Sequence, residues 1–115
     1  MKRALLLIGM LLAFEVQAQA TFITGGKLME FCRGFDQGAL NFDRSACVWY
    51  VTGVADVMAG DSVTGWRACI VTGSVTNEQV AQVAVTFLRE HPEKSHLAAH
   101  NLVAMALSGA YPCAK

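Results

Sequence analysis

Apolar residues recur at helical spacing in four stretches of this chain. Around residues 24–34, Leu28, Phe31, Cys32 and Phe35 fall three and four apart, the period of one helix face. Gly25 and Gly26 weaken the start of this segment, and Gly34 offers a C-terminal stop. Over residues 45–59, Cys47, Tyr50, Val51, Val54, Val57 and Met58 make a wide apolar face. Asp43 or Ser45 can cap its start, and Gly60 follows its end. The valines would also suit a strand, but a strand is rarely so long with apolar residues on both faces. Gly53 inside the pattern costs about 1 kcal/mol relative to Ala, a cost that close approach of a neighbouring helix would explain.

The third stretch carries the sharpest local signals. Thr76 followed by Gln79 is a capping box, and Val75 with Val80 can form a hydrophobic staple around it. Val80, Val83, Ala84, Phe87 and Leu88 then line one face, and His91-Pro92 ends the helix because proline disfavours a helical residue before it. In the fourth, residues 95–110, Ala98, Leu102 and Met105 share a stripe flanked by Ala99, Val103 and Ala106, with Gly109 and Pro112 closing it. The pattern predicts an all-α domain, a small four-helix bundle-like fold. A long loop, residues 60–75, separates the second and third segments and holds three of the ten glycines together with Trp66 and Arg67.

The N-terminus has a different character. Lys2 and Arg3 precede an uncharged run over residues 4–14, and Ala18-Gln19-Ala20 has the small-x-small form of a cleavage site. This is the layout of a secretory signal peptide over residues 1–20, with a single mature domain over residues 21–115. Glu15 ends the run well short of the ~20 apolar residues that span a bilayer. No later run serves either, since Asp56 interrupts one and His100-Asn101 another. The expectation is an exported, periplasmic product without a membrane span after cleavage.

Composition narrows the partners. Of 115 residues, 54% are hydrophobic and 16% charged, and nine basic residues balance nine acidic ones. That balance removes nucleic acid as a partner, because binding it needs a basic patch that releases phosphate counterions. The apolar content argues against disorder.

Cys32, Cys47, Cys69 and Cys113 all lie beyond the cleavage site. An even count in a small exported domain reads as two disulfides. Zinc is the rival, but no pair has the CxxC spacing it favours. Four cysteines permit three connectivities. In an up-down bundle with short connections, the end of the first segment meets the start of the second, which pairs Cys32 with Cys47. The ends of the second and fourth segments share the opposite pole, which pairs Cys69 with Cys113.

Catalytic chemistry finds no support. The chain has neither a G-x-S-x-G elbow nor an H-E-x-x-H helix, and paired cysteines leave no thiolate nucleophile. We expect no enzyme activity, no catalytic residue and no cofactor. His96 and His100 are four apart and would share a helix face with His91 nearby, a spacing that can hold a metal, yet capping, packing or solvation explains them more simply and no metal site is expected. Trp66 and Arg67 are of the types enriched at interface hot spots, and a loop tied down by Cys69 can present them. The competing reading folds Trp66 back over the core. Phe42, Trp49 and Tyr111 read as core or dimer contacts. Asp36, Asp43, Glu90, Glu93 and Lys94 read as solvated surface.

A family resemblance adds to this. Gly26, Leu28 and Cys32 open the domain, and Cys47, Tyr50, Val51, Gly53, Val54 and Asp56 follow the pattern C-x-x-Y-[IV]-x-G-[IV]-x-D. Cys69-Ile70 then leads to Thr76, Gln79 and Val80. Phe87-Leu88, His91-Pro92-Glu93 and His96 match F-L-x-x-H-P-E, and Ala98-Ala99, Leu102, Val103, Ala106-Leu107 and Tyr111-Pro112-Cys113 complete the set. The ordered motifs resemble the Rap/Tai family of periplasmic immunity proteins, which oppose peptidoglycan-cleaving amidase toxins delivered by type VI secretion. One departure is Val71, where the family often has proline after the Cys-Ile pair; Thr72 and Gly73 then give a less rigid approach to the third helix.

The resemblance implies an all-helical, disulfide-bonded, often homodimeric and non-catalytic protein that plugs the amidase cleft. Trp66 and Arg67 are assigned as partner contacts from loop length and residue type, not from the family. A different class stays open beside it: a small periplasmic binding protein or acid-stress chaperone with no toxin partner, which would loosen and expose apolar surface at low pH.

Overall fold

The computed structural model describes residues 21–37 and 41–114; the expected signal peptide lies outside them. Four helices form the fold: α1 (Gly25–Cys32), α2 (Phe42–Met58), α3 (Asn77–Glu90) and α4 (Ala99–Ala110). Short 3-10 turns at Phe35–Gln37 and Pro92–Lys94 follow α1 and α3. Among the described residues there is no strand. The all-α bundle and both disulfides agree with the sequence expectation.

Each helix start has a local cause. Thr24 caps α1 by accepting the Lys27 N–H at 3.2 Å. In α3 the expected capping box is complete. The Gln79 N–H donates to the Thr76 hydroxyl (3.1 Å), and the Thr76 N–H donates to the Gln79 side chain (2.8 Å). The α2 helix starts three residues earlier than the periodicity predicts. Its cap is Asn41, which accepts the Arg44 N–H at 2.8 Å, so neither Asp43 nor Ser45 plays that part. Asp43 instead lies in the first turn, where the helix dipole favours an acid.

The start of α4 departs further. The chain from Pro92 to Ala98 winds through a 3-10 turn and bends, and α4 begins only at Ala99 with no side-chain cap. Backbone replaces the cap. The Ala99 N–H donates to the Ile23 carbonyl (2.9 Å), while Gly25 and Gly26 N–H groups donate to the Leu97 (2.8 Å) and Ser95 (2.9 Å) carbonyls. The first turns of α1 and α4 thus satisfy each other's orphan donors. Gly25 makes this possible: it is buried, and a Cβ there would run into the Leu102 side chain and come within 3.4 Å of the Ser95 backbone. Gly25, which looked like a weakness, is a packing requirement, whereas a Cβ at Gly26 would make only ordinary contact with Ser95, at 3.6 Å.

The core joins Leu28, Cys32 and Phe35 to Cys47, Val48, Val51, Ala55 and Met58, then to Val80, Ala84, Val85 and Leu88, and to Leu102, Val103 and Leu107. No polar or charged residue is buried among the described residues. Cys32 pairs with Cys47 and Cys69 with Cys113, with Cα–Cα distances of 5.0 and 4.9 Å. This is the pairing expected from the bundle topology. In loop-entropy terms the two crosslinks are worth about 3 and about 4 kcal/mol. Gly53 does not mark a helix crossing: a Cβ there would meet nothing within 4 Å.

The two glycines therefore predict opposite outcomes. Gly25→Ala should destabilise the chain by about 2 kcal/mol through overpacking against Leu102. Gly53→Ala should stabilise it by about 0.5–1 kcal/mol by removing helix-interior backbone entropy. Urea unfolding of both variants at low protein concentration checks the pair.

Candidate functional site

The loop between α2 and α3 is held at several points. At its start the Asp61 N–H donates to the Val57 carbonyl (2.9 Å), closing the end of α2. Val63 and Trp66 then exchange backbone bonds: the Val63 N–H reaches the Trp66 carbonyl at 3.0 Å, and the Trp66 N–H reaches the Val63 carbonyl at 2.9 Å. Thr64 (φ 50°) and Gly65 (φ 84°) occupy the corners. Two positive φ angles are what a type I′ turn requires. Thr64 is the one non-glycine residue with positive φ among the described residues, and left-handed backbone costs an L-residue about 1–2 kcal/mol. Its Oγ1 lies 2.7 Å from Oδ1 of Asn101, in the first turn of α4.

The loop's second anchor is at Cys69. Its N–H donates to the Tyr111 carbonyl (2.8 Å), and its sulfur is bonded to Cys113. Asn101 and Tyr111 are ten helical residues apart, about 15 Å. Five residues from Thr64 to Cys69 reach at most about 17 Å when extended. The segment carrying Trp66 and Arg67 therefore lies between a contact with the first turn of α4 and a contact just past its end. Ala68 within it is buried, and Ile70 packs on the core.

Trp66 does not fold back into the core: it is 39% exposed and belongs to the exposed large apolar residues. Arg67 beside it is exposed, and no salt bridge engages it among the described residues. It borders a groove of about 280 Å³ with Met58, Ala68 and Ile70 along its walls. The pair offers a partner an aromatic surface, a cation and an apolar recess within one short segment. Beyond it, Val71, Thr72, Gly73 and Ser74 close a second turn, with Gly73 at φ 92° and the Ser74 N–H and hydroxyl both donating to the Val71 carbonyl (3.2 and 2.8 Å). The approach to α3 is thus a closed turn.

A second exposed feature lies on α2. Phe42 (79% exposed), Trp49 (64%), Gly53 and Val57 follow at intervals of seven, four and four and so share one outward face. Phe42 and Trp49 are thus not core residues of this chain, and Val57 leaves the predicted core face. Tyr111 does pack against the core.

The histidines do not converge. His91 stacks on Phe87 at 4.3 Å between ring centroids and sets Nδ1 3.1 Å from Oε1 of Glu93. His96 lies in the turn before α4 and His100 on the helix, so the shared helix face expected for them does not form. No group of three or more potential ligands is gathered for a metal among the described residues. Bonding to its own backbone N–H, and then to the His91 ring, holds the Glu93 carboxyl below its ordinary value. Burial raises the Tyr50 phenol, opposed by a backbone hydrogen bond with His100. Asp36 is exposed as expected but pairs with Arg89, and Glu78 pairs with Arg44 at 2.7 Å.

Sequence reasoning singled out Trp66 and Arg67 and did not anticipate the contact between Thr64 and Asn101. Signals existed for both. Thr64-Gly65 has the x-Gly form of a two-residue hairpin, and Asn101 is a polar interruption in an apolar helix. A model of the Rap1a immunity proteins matches residues 24–113. No curated protein matches the chain.

A partner contact should be dispensable for folding. Trp66→Ala and Arg67→Ala are each expected to shift unfolding stability by less than about 1 kcal/mol, unlike a core truncation. Thermal or urea unfolding of the oxidised variants tests this; a loss of several kcal/mol would make Trp66 a core residue.

Proposed function

The chain belongs to the family of Rap1a immunity proteins, and on that premise we propose that it protects the periplasm from a peptidoglycan-cleaving amidase toxin by occupying the toxin's active-site cleft. The family match is the observation that carries the protective role. The loop supports the mode. An amidase cleft must admit a peptide stem, and a stiff segment bearing Trp66 and Arg67 can fill it and exclude substrate. Trp brings large contact area at low conformational cost, and Arg brings planar, multiple hydrogen-bond donors.

Export is part of the proposal. Residues 1–20 direct the chain out of the cytoplasm, the mature domain begins at Thr21, and oxidation of all four cysteines suits that compartment. No helix among the described residues is long and apolar enough to cross a membrane. The domain acts by binding, without catalysis of its own. An acid-triggered chaperone is less well supported, because no carboxylate or histidine is buried among the described residues to loosen the core on protonation.

The deciding experiment is capture with the exported, oxidised chain from periplasmic and secreted proteins of its own strain. We expect one amidase, whose release of fragments from purified peptidoglycan sacculi the chain inhibits, and a captured bait whose mass starts at Thr21. Trp66→Ala or Arg67→Ala should weaken inhibition at least tenfold, about 1.4 kcal/mol or more. Recovery of many unrelated proteins only after acid exposure would replace this reading with the chaperone.

A homodimer completes the proposal, with the outward face of α2 as its seam. Phe42 and Trp49 supply apolar area, and Gly53 lets a second helix come close. Light scattering should report a dimer that Trp49→Ala dissociates. Gly53→Ala, although it stabilises the single chain, should loosen the pair. A monomer in wild type would remove this part.

A further inference from the structure

Thr64 is a costly residue for its position. Gly, Asn or Asp meets the demand of a type I′ turn for positive φ with little steric penalty. A branched Cβ resists it, yet Thr64 sits at φ 50°. What Thr brings that Gly lacks is a hydroxyl. Its Oγ1 lies 2.7 Å from Oδ1 of Asn101 and 2.8 Å from the Val63 carbonyl. One hydroxyl hydrogen serves one acceptor at a time. With the Asn101 amide turned over, its N–H donates to Oγ1 while the hydroxyl donates to Val63. Either arrangement ties the turn to the first turn of α4. Backbone strain of this kind persists only where the surroundings over-determine it, and it gathers at sites that must be held still.

We infer that Thr64 and Asn101 are positioning residues: their side-chain contact locks the Val63–Trp66 turn so that Trp66 and Arg67 are set for the toxin before it arrives. The inference rests on the reading of Trp66 and Arg67 as the partner contact. Its logic is preorganisation. A loop already fixed loses little conformational freedom on binding, so more of its contact energy appears as affinity. Asn101 holds one end of the presenting segment and Cys69 the other. The disulfide alone anchors only the far end. Without the Thr64 contact, the side-chain tie to α4 is gone, and the turn is free to leave its strained geometry.

Three variants of the full exported, oxidised chain separate this role from simple stability. Asn101→Ala removes the partner of the hydroxyl. Thr64→Val keeps the branched Cβ and removes the hydroxyl. Thr64→Ser keeps the hydroxyl and removes the branch. The first readout is amide hydrogen exchange at Trp66, whose N–H is bonded to Val63. The second is inhibition of the amidase captured by the wild-type chain, assayed on purified sacculi. We expect exchange at Trp66 to quicken about tenfold in Asn101→Ala and Thr64→Val, and inhibition to weaken by a similar factor, with Thr64→Ser close to wild type in both.

Unchanged exchange at Trp66 in Asn101→Ala would overturn the inference outright. So would faster exchange with undiminished inhibition, if Trp66→Ala still abolishes inhibition; the clamp would then be structural only. Undiminished inhibition in Trp66→Ala itself would instead refute the partner contact, and the positioning role would fall with it whatever the exchange rates.

Discussion

The mutual capping of α1 and α4 is the constraint on which the remaining structure hangs. Three backbone hydrogen bonds cross between the two helix starts, and they form because Gly25 carries no side chain where Leu102 packs. Helix starts carry unsatisfied N–H groups that must find partners or water. Here each helix finds them in the chain leading into the other. The bridge between Thr24 and Ala98 therefore decides where α4 begins. That beginning places Asn101 in the first helical turn, within reach of Thr64, and so ties in the loop between α2 and α3.

The same helix governs the loop at its far end. Tyr111 and Cys113, just past α4, hold Cys69 by a hydrogen bond and a covalent bond. A long glycine-containing loop would ordinarily be the mobile part of a small domain. Here it is tied to α4 and the residues just past it, with Ala68 and Ile70 packed on the core. Ordering a loop on binding subtracts from affinity, so a loop held in advance suits the proposed role. The disulfide is thus both a stabilising crosslink and one anchor of the segment that carries Trp66 and Arg67.

Among the described residues, exposed aromatic side chains lie on the loop and on α2, besides Phe22 ahead of α1. The loop offers Trp66 with Arg67, and the outer face of α2 offers Phe42 and Trp49 around Gly53. A glycine in a helix interior with open space around it is a cost the single chain does not recover internally.

Much of the fold was legible in the residues. Four apolar periodicities, the Thr76–Gln79 capping box, the Pro92 stop and the cysteine count determined an all-α domain with two disulfides, because each is a local consequence of helix geometry or of thiol chemistry. Loop length and residue type singled out Trp66 and Arg67 for the same reason: glycine content and amphipathic side chains are local properties. Tertiary structure alone decided the rest. It made Gly25 a contact rather than a weak start, delayed α4 to Ala99, and left Gly53, Phe42 and Trp49 facing outward. It also joined Thr64 to Asn101 across thirty-seven positions. Those outcomes depend on which backbone groups meet in space, and no periodicity along one segment carries that information.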